Sequence, residues 1–273
     1  MTFGAPSLRA GTRLSAPDGS ARATLGLLVS DGEMVFGLSV LKLAHDGAQP
    51  VWNREAPIPL GPAVPLCSDG DSAVRLLARI EISDELMVSP VVSGIANMKG
   101  PIDAVDALDR PVVLSMAVAR NLGRIIAFGR TVAFRDGKEG ARSYYSDAIE
   151  IDLGERGRIP PGAAGALICT SAGKAIGIVI GATESRVYAA PLFDVLAKCR
   201  LKPLTWEEAS RHNGRVEDCL AQRVQATATR GTRGQPQPGG PERQQSPPRL
   251  TSKEIYKRYN PKQIVKIVEM PLI

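Results

Sequence analysis

Aromatic residues and histidines are both scarce in this chain. Phe, Trp and Tyr make up 4% of the 273 residues, so the hydrophobic core has to be built mainly from aliphatic side chains. The two histidines are His45 and His212, which leaves few candidates for a general base. Both histidines are predicted to be solvated surface residues.

Close pairs of metal-binding residues are also missing. The four cysteines lie far apart, and none has the Cys or His spacing of a zinc site, so the sequence predicts no metal and no cofactor. No apolar run has the length of a signal peptide or of a membrane span. We therefore expect a cytoplasmic protein with buried thiols and no membrane contact. The cysteines are Cys67, Cys169, Cys199 and Cys219.

Positive charge is concentrated at the C-terminal end. Up to Ala221 the chain has 24 Lys and Arg against 25 Asp and Glu, and the remaining residues have ten against three, which gives the net charge of +6. A neutral body argues against a nucleic-acid-binding face on the folded part, so nucleic acid is not an expected partner. The basic tail is interpreted as a soluble tether, with contact to RNA or to an acidic partner as the alternative.

Short apolar runs separated by turn residues dominate the chain as far as Gly181. This pattern is typical of strands, and because no helical stretches alternate with them, an antiparallel barrel or sandwich is favoured. Two breaks, Ser30-Asp31-Gly32 and Ser171-Ala172-Gly173, have the length of hairpin turns. The predicted strands are TLGLLV (24–29), MVFGLSVL (34–41), VVLSMAV (112–118), GRIIAFG (123–129), TVAF (131–134), YYSDAIEI (144–151), GALICT (165–170) and KAIGIVIG (174–181).

Helices are predicted only after these strands. The segment 191–200 has one apolar face, and 205–223 begins with Thr205 and Glu208 at the spacing of a capping box, with Gly214 as a possible break. Residues 226–249 are mostly Gly, Pro, Gln, Arg and Thr, which predicts a flexible linker.

One string resembles the nucleophile region of trypsin-like serine proteases with the chymotrypsin fold. The string is IPPGAAGALICTSAGKAIGIVIG (159–181), followed by VYAAPLFDVL (187–196). Those proteases have a Gly-Asp-Ser-Gly motif before a hydrophobic strand, a turn, a glycine-rich strand and a closing strand that leads into a helix. Gly162 and Gly165 match the two glycines of the motif, Ala163 stands in the place of its Asp, and Ala164 stands in the place of the nucleophilic Ser.

The first half of the chain is similar to the part of that family which supplies the other two catalytic residues. ATLGLLVSDGEMVFGLSVLKLA (23–44) resembles the hairpin that ends in Leu-Ser-x-x-His-Val-Leu-Ala, and here Ser39 is assigned to the place of the His. GDSAVRLLARI (70–80) resembles the run with the catalytic Asp, which Asp71 would retain. The resemblance spans roughly residues 20–200. It implies an all-β fold of two packed antiparallel six-stranded β-barrels.

Acyl transfer by this family needs a hydroxyl nucleophile, an imidazole base and a carboxylate that orients the base. With Ala164 and Ser39 at two of these positions, the sequence predicts that the chain is not an enzyme but a pseudoprotease that binds a protein or peptide. The loop of Gly162, Ala163, Ala164 and Gly165 is predicted to keep the backbone N–H groups of an oxyanion hole. Two alternatives stay open: a hydrolase with another nucleophile such as Cys169, and an assembly component tethered by its tail.

The predicted domain organisation places two barrels between terminal segments. The C-terminal segment includes QIVKIVEMPLI (263–273), and its apolar residues Ile264, Val268 and Leu272 are predicted to dock on a sheet edge, in the same chain or in another. The predicted units are an N-terminal segment (1–20), a first β-barrel (21–110), a second β-barrel (111–190), a helical cap (191–221), a disordered basic linker (222–250) and a C-terminal docking segment (251–273).

Overall fold

The computed structural model of the protein describes residues 7–15, 22–40, 50–53, 59–66, 76–92, 95, 98–116, 120–136, 141–154 and 159–231. In the first half the strands are β1 (Leu8–Ala10), β2 (Arg13–Ser15), β3 (Arg22–Thr24), β4 (Leu27–Ser30), β5 (Val35–Val40), β6 (Pro50–Asn53), β7 (Pro59–Pro65), β8 (Leu77–Glu81) and β9 (Val88–Val92). A short 3-10 helix, Val105–Ala107, separates the halves. The later elements are β10 (Pro111–Ser115), β11 (Arg120–Asp136), β12 (Ala141–Asp152), β13 (Leu167–Thr170), β14 (Ala175–Ala182), β15 (Arg186–Pro191), α1 (Phe193–Lys198), β16 (Lys202–Pro203) and α2 (Trp206–Gly231).

The second half forms a closed antiparallel barrel. Its strands follow the order β10-β11-β12-β15-β14-β13, and β13 returns to β10. Apolar residues fill its interior because they recur on successive strands, as Leu114, Ile125, Ile151 and Ile176 do. The predicted six-stranded second barrel is therefore confirmed.

The first half forms an eight-stranded sheet with the order β16-β4-β5-β8-β7-β6-β2-β3. This sheet has more strands than the six that the resemblance implied. One additional strand is β2, which belongs to the segment predicted to precede the barrels and pairs with β6. Another is β16, which belongs to the predicted helical cap and pairs with β4. Strand β1 pairs in parallel with β9 beside it. The all-β, chymotrypsin-like class is confirmed.

Both predicted hairpins are present. Strands β4 and β5 pair from Leu27 opposite Leu38 to Ser30 opposite Val35, and the Asp31 carboxylate between them accepts backbone hydrogen bonds from Glu33 and Met34. Strands β13 and β14 are joined by a turn. Here the Gly173 N–H donates to the Thr170 carbonyl oxygen at 3.0 Å, and Gly173 has the positive φ of +84° that favours glycine.

A shared core joins the two halves. Leu27 and Leu38 of the first sheet lie in one buried cluster with Tyr145 and Ile178 of the barrel. Each half also has a core of its own. Burial at about 25 cal/mol per Å² of apolar surface makes these clusters the main source of stability.

Helix α2 packs beside β9. The Asn213 side-chain oxygen accepts from the Val88 N–H at 2.8 Å, and its amide nitrogen donates to the Val88 carbonyl oxygen at 3.0 Å. A side chain thus takes the place of a neighbouring strand at that point of β9. The helix continues through Gly214 to Gly231, so it includes the first residues of the segment predicted as a linker. The rest of the linker lies outside the described residues.

The prediction that His212 is a solvated surface residue is wrong. Its side chain is buried, and Nε2 lies 2.9 Å from the Leu86 carbonyl oxygen. The reason is helical periodicity: His212 shares an inward face with Ala209 and Val216, which are three positions before it and four after it.

Among the residues that the structure describes, no helix combines the length and the apolar character that crossing a bilayer requires. The cytoplasmic location stays a prediction.

Candidate functional site

The loop that precedes β13 contains the residues matched to the family's motif. Gly162 and Gly165 have φ angles of +80° and +86°. These left-handed conformations are strained for residues with a Cβ atom, and this is why glycine stands at both positions. Between them, Ala163 and Ala164 are buried.

From Gly162 to Gly165, N–H groups that donate a hydrogen bond within the described residues alternate with N–H groups that do not. Ala163 N–H donates to the Pro160 carbonyl oxygen at 3.2 Å, and Gly165 N–H donates to the Val179 carbonyl oxygen at 2.8 Å. Within the described part of the chain, no acceptor lies against the N–H of Gly162 or of Ala164. An N–H that is withdrawn from water without gaining an acceptor costs about 1–3 kcal/mol, so these two groups can take an acceptor oxygen from outside the described residues.

The first sheet holds the loop through Thr24, at the end of β3. The Thr24 hydroxyl donates to the Gly162 carbonyl oxygen at 2.7 Å. Its backbone N–H donates to the Ala164 carbonyl oxygen at 2.8 Å. The loop therefore lies at the contact between the two halves of the molecule.

The two alanine side chains point into different cores. Ala163 belongs to the core of the closed barrel, whereas Ala164 belongs to the core of the first sheet. Since the loop consists of glycine and alanine, it offers backbone groups and no side-chain nucleophile.

Ser39 lies beside this loop but faces inward. Its hydroxyl is fully buried and donates to the Thr24 carbonyl oxygen at 2.8 Å. The direction of the Ser39 side chain therefore does not show where the catalytic imidazole of the family would lie. The assignment of Ser39 to that position stays a prediction. Counted from Leu38 and Ser39, the motif Leu-Ser-x-x-His would reach Lys42, which is outside the described residues together with His45.

Two other predicted groups are also outside the described residues. Asp71 lies in the stretch 67–75, which precedes β8 in the sequence, and the docking residues lie in 232–273. These docking residues are Ile264, Val268 and Leu272.

Cys169 is placed as a core residue of β13. Its side chain is fully buried, and burial raises the pKa of its thiol to about 12. A thiol with this pKa is protonated at neutral pH, and nucleophilic attack requires the thiolate. The geometry thus argues against Cys169 as the nucleophile of a hydrolase. Among the described residues, neither Cys199 nor Cys219 forms a disulfide.

Comparison with solved structures identifies the fold. The chain is similar to a Nocardiopsis protease at 15% identity and a TM-score of 0.53, covering 73% of this chain and 100% of the other. It is also similar to a glutamic-acid-specific serine protease, at 12% identity and a TM-score of 0.51. The match covers 72% of this chain and 100% of that protease. Similarity to Protease A of Thermobifida fusca is at 18% identity and a TM-score of 0.50, and the match covers 73% of this chain and 100% of the other. The chain has the chymotrypsin-like serine protease fold. Neither a protein-family model nor a curated protein matches it.

The prediction that the chain is not an enzyme is wrong. The solved structures with this chymotrypsin-like fold that it resembles are serine proteases, so the fold gives no ground for expecting a protein that is not an enzyme. The described residues do not establish a loss of the catalytic groups, because the segments with His45 and Asp71 are not among them.

Sequence reasoning missed Thr24. It was included in a predicted strand, and no local pattern distinguishes it there. The available signal was Gly26, two positions after Thr24, because a glycine in a strand permits another part of the backbone to approach closely. The loop makes this approach here: a Cβ atom built on Gly26 would lie 2.3 Å from the Gly165 carbonyl oxygen.

Proposed function

We propose that this chymotrypsin-like chain binds an extended protein or peptide segment at the loop Gly162–Gly165. The observation that carries the proposal is the pair of N–H groups, on Gly162 and Ala164, without an acceptor in the described part of the chain. A peptide carbonyl or a C-terminal carboxylate supplies an oxygen that accepts two such hydrogen bonds.

The surroundings of the loop support a ligand that arrives from outside. Pro161 is exposed and Gly162 is half-buried, so this end of the loop reaches the surface. The other end is fixed in the interior by Gly165 and Ala164. A rigid loop reduces the entropy that is lost when the ligand binds.

The test is a titration of the full chain with a pool of randomised tetrapeptides that have free C-terminal carboxylates. With ¹⁵N-labelled glycine and alanine, the Gly162 and Ala164 amide signals are expected to move together as the pool is added. Gly32 and Gly129 serve as controls, since both have positive φ angles and lie outside the loop. Their signals are expected to stay in place.

A matched pool with C-terminal amides shows whether the carboxylate contributes. Release of amino termini from both pools is followed in the same samples, so hydrolysis is measured separately from binding. Because the loop has no side-chain nucleophile, any hydrolysis would use a group from another part of the chain. If neither pool moves the Gly162 and Ala164 signals at millimolar concentration, the proposed function fails.

A further inference from the structure

The hydroxyl of Thr24 connects the first sheet to the candidate loop. The Thr24 side chain is fully buried, and its hydroxyl proton is donated to the Gly162 carbonyl oxygen at 2.7 Å. These residues are 138 positions apart in the sequence. The Thr24 carbonyl oxygen in turn accepts the Ser39 hydroxyl at 2.8 Å. A chain of hydrogen bonds thus runs from β5 through Thr24 to the loop, buried at Ser39 and partly buried at Gly162.

These contacts fix alternate peptide planes of the loop. The plane that joins Gly162 to Ala163 is held at both ends, by Thr24 at the carbonyl and by Pro160 at the N–H. The plane that joins Ala164 to Gly165 is held by the Thr24 N–H at the carbonyl and by a carbonyl of β14 at the N–H. Peptide planes are rigid, so fixing these two restricts the orientation of the Ala164 N–H, which lies in the plane between them. The Gly162 N–H lies in the plane before them, which meets the first fixed plane at the Gly162 Cα atom.

We infer that Thr24 is a positioning residue whose hydroxyl keeps the Gly162 and Ala164 N–H groups free for a ligand oxygen. Without the hydroxyl, the Gly162 carbonyl would lose its buried donor, and the plane between Gly162 and Ala163 would be held only by the hydrogen bond from the Ala163 N–H to Pro160. The part of this inference that concerns the ligand rests on the proposed function. The part that concerns the loop does not.

The first readout is therefore the loop itself, in the full chain without peptide. Thr24→Val removes the hydroxyl with little change in shape, and we expect it to shift the amide signals of Gly162, Ala163 and Ala164. Thr24→Ser keeps a hydroxyl and is expected to leave those signals close to their original positions. Thr170→Val is the matched control, because Thr170 is also buried but its hydroxyl accepts from the Lys174 N–H in the β13–β14 turn.

The second readout is affinity for the randomised tetrapeptide pool with free carboxylates. Loss of one buried hydrogen bond corresponds to about a tenfold weaker binding, which we expect for Thr24→Val and not for Thr24→Ser or Thr170→Val. If Thr24→Val does not fold, Thr24→Cys replaces it, since a thiol is a much weaker donor than a hydroxyl.

The outcomes separate the two ideas. Unchanged loop signals in Thr24→Val, or equal shifts in Thr24→Ser, overturn the positioning role of Thr24. Loop signals that respond as expected, with no peptide bound by the unaltered chain, support the role of Thr24 and count against the proposed function.

Discussion

At the scale of single residues, the two glycines of the candidate loop serve different purposes. Both have positive φ angles, but a Cβ atom on Gly162 would meet nothing within 4 Å. A Cβ atom on Gly165 would lie within 2.4 Å of the Ser39 hydroxyl oxygen and of the Thr24 carbonyl oxygen. Gly162 is thus required by backbone conformation alone, and Gly165 by conformation and by lack of space.

This difference predicts unequal costs for the same substitution. Gly162→Ala is expected to lower the free energy of unfolding by about 1 kcal/mol, because only the left-handed conformation is strained. Gly165→Ala adds a steric clash and is expected to cost about 3 kcal/mol. Urea denaturation of the two variants measures both values. Equal costs would show that the contacts of Gly165 with Thr24 and Ser39 are not tight.

At the scale of secondary structure, the capping box at the start of α2 is confirmed. Thr205 N–H donates to the Glu208 carboxylate at 3.0 Å, and Glu208 N–H donates to the Thr205 hydroxyl oxygen at 3.2 Å. Burial tends to raise the pKa of the Glu208 carboxyl. Hydrogen bonds from Thr205 and from the Ser30 hydroxyl outweigh this effect, so its pKa is lowered.

The lowered pKa predicts a pH dependence of stability. A carboxyl whose pKa is lower in the folded state stabilises the protein above the pKa of the unfolded state, and this contribution is lost as pH falls through the folded pKa. We expect the unaltered chain to be more stable than Glu208→Gln at pH 7, with the difference shrinking once the pH falls below about 4.5. Urea denaturation at a series of pH values tests this expectation.

A matched control for that experiment is Glu207→Gln in the same first turn of α2. Glu207 is exposed and makes a salt bridge to Arg211 at 3.3 Å, which contributes little at the surface. If Glu207→Gln and Glu208→Gln show the same pH dependence, the effect comes from general charge near the helix start and not from the capping box.

At the scale of the whole molecule, the first sheet contacts the barrel, and the C-terminal segment is predicted to dock on a sheet edge. The first sheet and the barrel share a buried cluster and are also joined by Thr24. The C-terminal residues, which lie outside the described part, combine a basic composition with an apolar end. Their docking on a sheet edge stays a prediction.

Substituting the apolar residues of this end tests the docking prediction. Exchanging Ile264, Val268 and Leu272 together for Asp is expected to lower Tm by about 2–4 °C if the segment docks on its own chain, which corresponds to about 1 kcal/mol. If it docks on a second copy, the sedimentation coefficient is expected to fall at a given concentration. Exchanging Thr251, Ser252 and Gln263 for Asp is the control, because it changes the charge equally without removing apolar surface. No change in either quantity would exclude docking.

The sequence by itself determined the local features of this protein. Short apolar runs between turn residues predicted the strands, glycine and polar residues predicted the turns at Asp31 and Gly173, and the spacing of Thr205 and Glu208 predicted the helix start. Each of these features depends on residues a few positions apart, so their physical chemistry is visible in the sequence.

Only the tertiary structure decided which distant groups meet in the candidate site. The inward direction of Ser39, the burial of His212 and the contact of Thr24 with Gly162 all depend on how separate strands and helices pack. The additional strands β2 and β16 follow from the same cause, because each pairs its backbone groups with a strand that is distant in the sequence, β2 with β6 and β16 with β4. Hydrogen bonds between such segments are not encoded by local spacing, and they fix the geometry of the loop.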